Sequence, residues 1–212
     1  MEQRFLTAAQ VEALAGSIDS RFRALILLAA YGGLRFGELA ALRRRRVDVL
    51  RGRLTISQAT SDVHGHELTF GPPKTKKSRR TVPLPRHVVQ ELDHHLVTYT
   101  DTDAEALVFT GPKGAPLRRA GFGRLWWGPA TKAAGVEGLK VHELRHTFVA
   151  LSVAAGCDVR KVSIRAGHSS VAFTLDRYGH LYSDDEAADM DRLDALLSNA
   201  RPAENAQVVA MK

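Results

Sequence analysis

The sequence predicts an α+β fold, predominantly α-helical with one small antiparallel three-stranded sheet. Three observations predict it. Apolar residues recur at helical spacing along most of the chain, the period shifts toward two only between residues 51 and 85, and no internal repeat, low-complexity tract or long linker breaks the pattern.

Each element follows from a local signal. Thr7 and Gln10 read as a capping box, in which two side chains satisfy two orphan backbone N–H groups, opening a helix through Ile18. A second helix carries Leu25, Leu27, Leu28 and Ala29 and stops at Gly32-Gly33. A third short helical run, 36–42, leads into the basic cluster 43–46. Leu54-Thr55-Ile56, Leu68-Thr69-Phe70 and Thr81-Val82-Pro83-Leu84, separated by Gly, Asp, Pro and Lys, predict the three strands. Helical patterns resume at 87–96, 117–134, 142–155, 159–166 and 186–197, and residues 201–212 read as a frayed tail.

A chain of 212 residues, 44% hydrophobic and 25% charged, is expected to pack a core of its own. Its formal net charge of +7 points to a polyanionic partner, of which nucleic acid is the commonest. The single Cys157 excludes an intramolecular disulfide and is expected as a small core residue of a cytoplasmic protein. The start lacks the apolar stretch of a signal peptide, and the longest apolar run, 24–31, is too short to span a bilayer, so no membrane partner is expected.

Four clusters could carry chemistry. In Gly33-Leu34-Arg35-Phe36-Gly37-Glu38-Leu39, an arginine at a glycine-flanked turn between helices either lies on the surface or projects its guanidinium into a cleft. The run Lys74-Thr75-Lys76-Lys77-Ser78-Arg79-Arg80 is either a solvated loop or a hairpin tip that follows a phosphate backbone. A lysine near phosphate can also protonate a departing alkoxide. In His142-Glu143-Leu144-Arg145-His146, His142 and Arg145 are three apart and share a helix face suited to a phosphate. The same string matches H-E-x-x-H, but Val149 and Ser152 fill the glycine and histidine positions of the extended zinc motif. Finally, Ala166-Gly167-His168-Ser169-Ser170 precedes Asp176-Arg177-Tyr178, where the tyrosine is either a core anchor or a nucleophile.

In that order the clusters resemble the tyrosine recombinase, or phage integrase, family over roughly residues 5–185. The resemblance implies the tyrosine recombinase catalytic-domain fold over 1–185, with 186–212 a C-terminal helix and tail that either packs on its own domain or, as the family suggests, docks on a neighbouring protomer. The N-terminal core-binding domain usual in full-length members is not expected in this chain, a departure from the family. It implies that Arg35, Lys74, His142, Arg145 and His168 surround a scissile phosphate and that Tyr178 attacks it, giving a 3′-phosphotyrosyl intermediate without metal, ATP or other cofactor. His142 is the expected base and Lys74 the expected general acid, with Lys76 its rival. Arg43, Arg44, Lys76, Lys77, Arg79 and Arg80 are the expected DNA-backbone contacts, and Glu38 the brace of the turn carrying Arg35. The implied partners are double-stranded DNA and further protomers, a tetramer on DNA and a monomer free of it. A DNA- or recombinase-binding form without catalysis and a type IB topoisomerase-like enzyme are the alternatives. Arg165-Ala166 departs from the two apolar residues that relatives often carry there.

Overall fold

The computed structural model describes residues 4–63, 66–73 and 78–181, together with positions 187, 190, 191, 193–195 and 197. It divides into two compact units, Met1–Leu181 and Tyr182–Lys212. In the second, the described positions are helical, and Met190, Leu193 and Leu197 are exposed.

In the first unit, α1 (Ala8–Ser17) opens on the expected capping box: the Gln10 N–H donates to the Thr7 hydroxyl at 3.2 Å, and the Thr7 N–H to the Gln10 side chain at 2.9 Å. The axis of the unit is α2 (Arg23–Gly32), whose residues 24–30 are all nearly inaccessible. Around it pack α1, α4 (Arg86–Thr98) and α7 (Glu143–Ala154). A helix enclosed this way needs no polar face, which is why 24–31 is the longest apolar run. Each buried Leu or Ile there contributes about 1.5–3 kcal/mol of transfer free energy.

The three-stranded sheet has the order β1-β2-β5, from β1 (Val47–Asp48), β2 (Arg53–Ile56) and β5 (Arg80–Pro83), all antiparallel. Leu54 lies opposite Val82 and Ile56 opposite Arg80, and these four residues form the buried face. The expected strand at 68–70 does form, as β4 (Thr69–Gly71), but it joins a separate two-stranded sheet with β3 (Ala59–Ser61). With no alternating apolar face to bury, β4 pairs with its neighbour in sequence. Val47, packed against the core, supplies the third strand instead.

The single helix expected over 117–134 is three segments, α5 (Arg119–Phe122), a π-helical turn over Gly123–Trp127 and α6 (Gly128–Ala133). Pro129 has no N–H to give, and the Gly128 N–H reaches back to the Gly123 carbonyl, which widens the turn. Asp158 caps α8 (Val159–Ala166) and Ser170 caps α9 (Val171–Tyr178), each by accepting a backbone N–H in the first turn. Cys157, expected in the core, is half-buried between α7 and α8.

Candidate active site

Two left-handed glycines bring the site's arginines together. Gly33 ends α2 at φ 68°, and a Cβ there would lie 2.5 Å from Phe148, so the turn tolerates only glycine. The chain then becomes extended at Arg35 and enters α3 (Phe36–Ala40). Glu38 reaches back across this turn: its carboxylate accepts the Arg35 N–H at 2.9 Å and Arg35 Nη1 at 3.1 Å. Gly167 ends α8 at φ 64°, and its carbonyl accepts Arg35 Nη2 at 3.0 Å. Two contacts therefore fix the Arg35 guanidinium, while its side chain stays 45% exposed with further N–H groups to offer.

Glu38, 2% exposed, is the hub. Arg80 grips it with both terminal nitrogens, Nη1 to Oε1 at 2.9 Å and Nη2 to Oε2 at 3.0 Å, and donates Nε to the Arg165 carbonyl at 2.6 Å. Arg145, 8% exposed on α7, donates Nη1 to the Gly33 carbonyl at 2.9 Å. The α2–α3 turn, β5, α7 and α8 thus bring three guanidiniums together, two of them, Arg35 and Arg80, sharing the Glu38 carboxylate and the third, Arg145, held by the Gly33 carbonyl.

The imidazoles and the phenol complete the cluster. His168 follows Gly167, bonds Thr174 Oγ1 through Nδ1 at 2.7 Å, and stacks on Tyr178 with ring centroids 6.2 Å apart and planes 3° from parallel. Tyr178, at the end of α9, is 1% exposed, and its hydroxyl is hydrogen-bonded to His146 Nδ1. His142 stands exposed at the start of α7, its ring 5.5 Å from that of His146.

Charge is unbalanced here. Burial, with the charges of Arg35 and Arg80, lowers the Arg145 pKa to about 9, still cationic at neutral pH. Burial and the charges of Arg145 and Arg35 hold His168 down to about 3. Burial and the charges of Arg177 and His142 hold His146 down to about 4, so both rings are neutral. Burial alone pushes the Glu38 carboxyl up, but the hydrogen bonds and charges of Arg80 and Arg35 more than offset this and it stays ionised. Burial raises the Tyr178 phenol above its ordinary value, against the pull of Arg177 and Arg145. An excess of fixed positive charge around a protonated phenol is an environment for an anion.

The structure brings together Arg35, Arg145, His168 and Tyr178, with His142 one helical turn from His146. Lys74, Lys76 and Lys77 lie outside the described residues, and Arg79 is exposed. Arg80 requires a correction: expected on a DNA-facing hairpin tip, it is 8% exposed and committed to Glu38, because its place in β5 opposite Ile56 turns it inward. Arg43 and Arg44 also have protein partners. Arg43 donates to the Glu105 carbonyl at 2.6 Å and lies over Phe70, and Arg44 donates to the Leu96 carbonyl at 2.9 Å. His146, which sequence reasoning weighed only as half of a zinc string, is the histidine that meets the phenol; its position next to Arg145 was the available signal. Among the described residues, no three His, Cys, Asp or Glu side chains gather as metal donors. Among them, too, no helix is long and apolar enough to cross a membrane.

The chain is similar to known proteins along most of its length. The family model described as the phage integrase family matches residues 4–184. A putative prophage phiRv2 integrase of Mycobacterium tuberculosis is 29% identical over 176 residues, covering 82% of this chain and 46% of its own length. A XerC-like tyrosine recombinase of Caldanaerobacter subterraneus is 29% identical over 189 residues, covering 80% of this chain and 47% of its own. The chain spans about half the length of the curated relatives it matches. Among solved structures, the Tn1549 transposon integrase in complex with circular intermediate DNA superposes with a TM-score of 0.75 at 23% identity, over 91% of this chain and 66% of that one. The catalytic domain of bacteriophage HP1 integrase superposes at 0.61 with 19% identity, over 90% of this chain and 95% of that one. These likenesses establish the fold.

Proposed function

The chain belongs to the phage integrase family of tyrosine recombinases, and from that membership we propose that it is the catalytic domain of a site-specific DNA recombinase, cutting and rejoining strands through Tyr178. The observation that carries this reading is the convergence of Arg35, Arg145, His168 and Tyr178, from three separate stretches of chain, on one cationic basin.

A phosphodiester carries one negative charge and gains more in its pentacoordinate transition state. Arg35 and Arg145, each pinned by a backbone carbonyl, are positioned to bind its nonbridging oxygens through charge-assisted bonds. His168, with Nδ1 held by Thr174, has Nε2 left for a phosphate oxygen, and His142 offers a second imidazole at the exposed mouth. Attack by Tyr178 gives a 3′-phosphotyrosyl link and a 5′-hydroxyl, whose oxygen takes its proton from Lys74. The ester bond energy is retained, so a 5′-hydroxyl from another strand reverses the step without ATP. The Tn1549 integrase is bound to DNA, which supports double-stranded DNA as this chain's partner, and action on DNA is consistent with a cytoplasmic enzyme. Exposed Met190, Leu193 and Leu197, at helical spacing, support docking of the C-terminal segment on a second protomer in a DNA-bound tetramer.

The test is covalent trapping on nicked double-stranded DNA of randomised core sequence, whose broken strand cannot be rejoined. The wild-type chain is expected to form a denaturant-resistant protein–DNA adduct in the presence of chelator, and Tyr178→Phe to form none. Equal adduct from both proteins sinks the proposal, and DNA binding with no adduct would mark a binding-only form.

A further inference from the structure

The chemistry above leaves one group at the reacting atom without a task. His146 bonds the Tyr178 hydroxyl directly through Nδ1, whereas His142 lies exposed at the start of the helix, one turn away. We propose that His146 Nδ1 accepts the Tyr178 proton during strand cleavage and returns it during rejoining. The inference rests on Tyr178 being the nucleophile and assigns its proton transfer.

The helix explains the division of labour. Successive residues on α7 point about 100° apart, so Arg145 reaches the Gly33 carbonyl while His146, the next residue, reaches α9. Leu144 and Thr147 are buried beside them, which fixes the rotation of the helix about its axis. The groups facing His146 are His142, Glu143 and Arg145 from its own helix, Arg177 and Tyr178 from α9, and His168 from the turn before α9. Most of that charge is positive, so the ring is neutral and, with its proton on Nε2, presents Nδ1 as an acceptor. A scissile phosphate entering the basin adds negative charge, which raises the ring's proton affinity toward its ordinary value as the phenol begins to ionise.

The step balances without an external reagent. The Oη–P bond forms and the P–O5′ bond breaks; the phenolic proton passes to Nδ1, leaving an imidazolium, while the 5′-oxygen takes a different proton from the general acid. In rejoining, the 5′-hydroxyl attacks phosphorus, Oη departs, and Nδ1 returns its proton.

Single-turnover cleavage of the trapping substrate by the full chain tests this. His146→Gln keeps a hydrogen-bonding side chain but cannot take a proton, and is expected to slow adduct formation about 100-fold at neutral pH. Its residual rate should rise with pH where the wild-type rate is flat. A fluorinated tyrosine at position 178, whose phenol ionises more easily, should recover rate in His146→Gln far more than in wild type. A 5′-bridging sulfur, which relieves only the need for a general acid, should not. An unchanged rate in His146→Gln overturns the proposal, as does a loss that is constant at every pH and indifferent to fluorination, the mark of a structural role. Should the variant fold poorly, nitrogen NMR of the wild-type imidazoles decides: an unprotonated Nδ1 on His146 is expected, and a protonated one overturns the assignment. If wild type itself forms no adduct, the nucleophile assignment falls and this proposal with it, an outcome distinct from a defect confined to His146→Gln.

Discussion

Glu38 shows how much one residue holds in this site, since it bonds the Arg35 backbone, the Arg35 guanidinium and both terminal nitrogens of Arg80. Removing its charge leaves Arg80 buried and unpaired, so Glu38→Gln is expected to cost about 3–5 kcal/mol in urea unfolding, and a loss within error of zero would contradict the hub. The histidines set a pH dependence of the opposite kind. In the unfolded chain they take up protons below pH of about 6.5, but in the folded chain only near 4 for His146 and 3 for His168. Between those limits the unfolded state binds more protons, so stability falls as pH falls from about 6.5 to about 4. Thermal melting across that range is expected to show the decline, with a shallower slope in the His146→Gln, His168→Gln double variant. Arg35, Arg145, His168 and Tyr178 were legible in the sequence because motif order marks them. Arg80 was not, because a run of cations reads as one solvated loop. The alternation Arg80, Val82 opposite Ile56 and Leu54 carried the inward placement.

At the scale of elements, the helices were the most legible part, since a capping box, an αL glycine and a helical period each have a local cause. What escaped was settled by partners rather than propensity: β4 pairs with β3 for want of an apolar face, and Pro129 widens the 119–133 run into a π turn. Two glycine substitutions separate a required glycine from a dispensable one. Gly33→Ala forces a side chain to φ 68° and into Phe148, beside the carbonyl that holds Arg145. It is expected to cost about 2 kcal/mol or more and to reduce adduct formation. Gly16→Ala, exposed in α1 with nothing within 4 Å of the added carbon, is expected to stabilise by about 0.5–1 kcal/mol. Denaturant titration of both variants checks the pair, and similar losses would mean that the α2–α3 turn is not the constrained one.

For the whole molecule, if DNA is the partner as proposed, a net charge of +7 makes affinity largely a matter of counterion release, so log affinity is expected to fall linearly with log salt. A flat salt dependence in a filter-binding series would deny a backbone-tracking surface. Arg79→Ala, at an exposed cation, is expected to reduce the slope, whereas Arg80→Ala should act through stability instead. The fold places guanidiniums, imidazoles and one phenol together from distant stretches of chain, and covalent capture of DNA by that phenol is the proposal on which the rest depends. Mass spectrometry of the protease-digested adduct tests it most directly: the peptide containing Tyr178 should carry a 3′-phosphonucleotide on its phenolic oxygen, and a nucleotide attached to any other residue would contradict it.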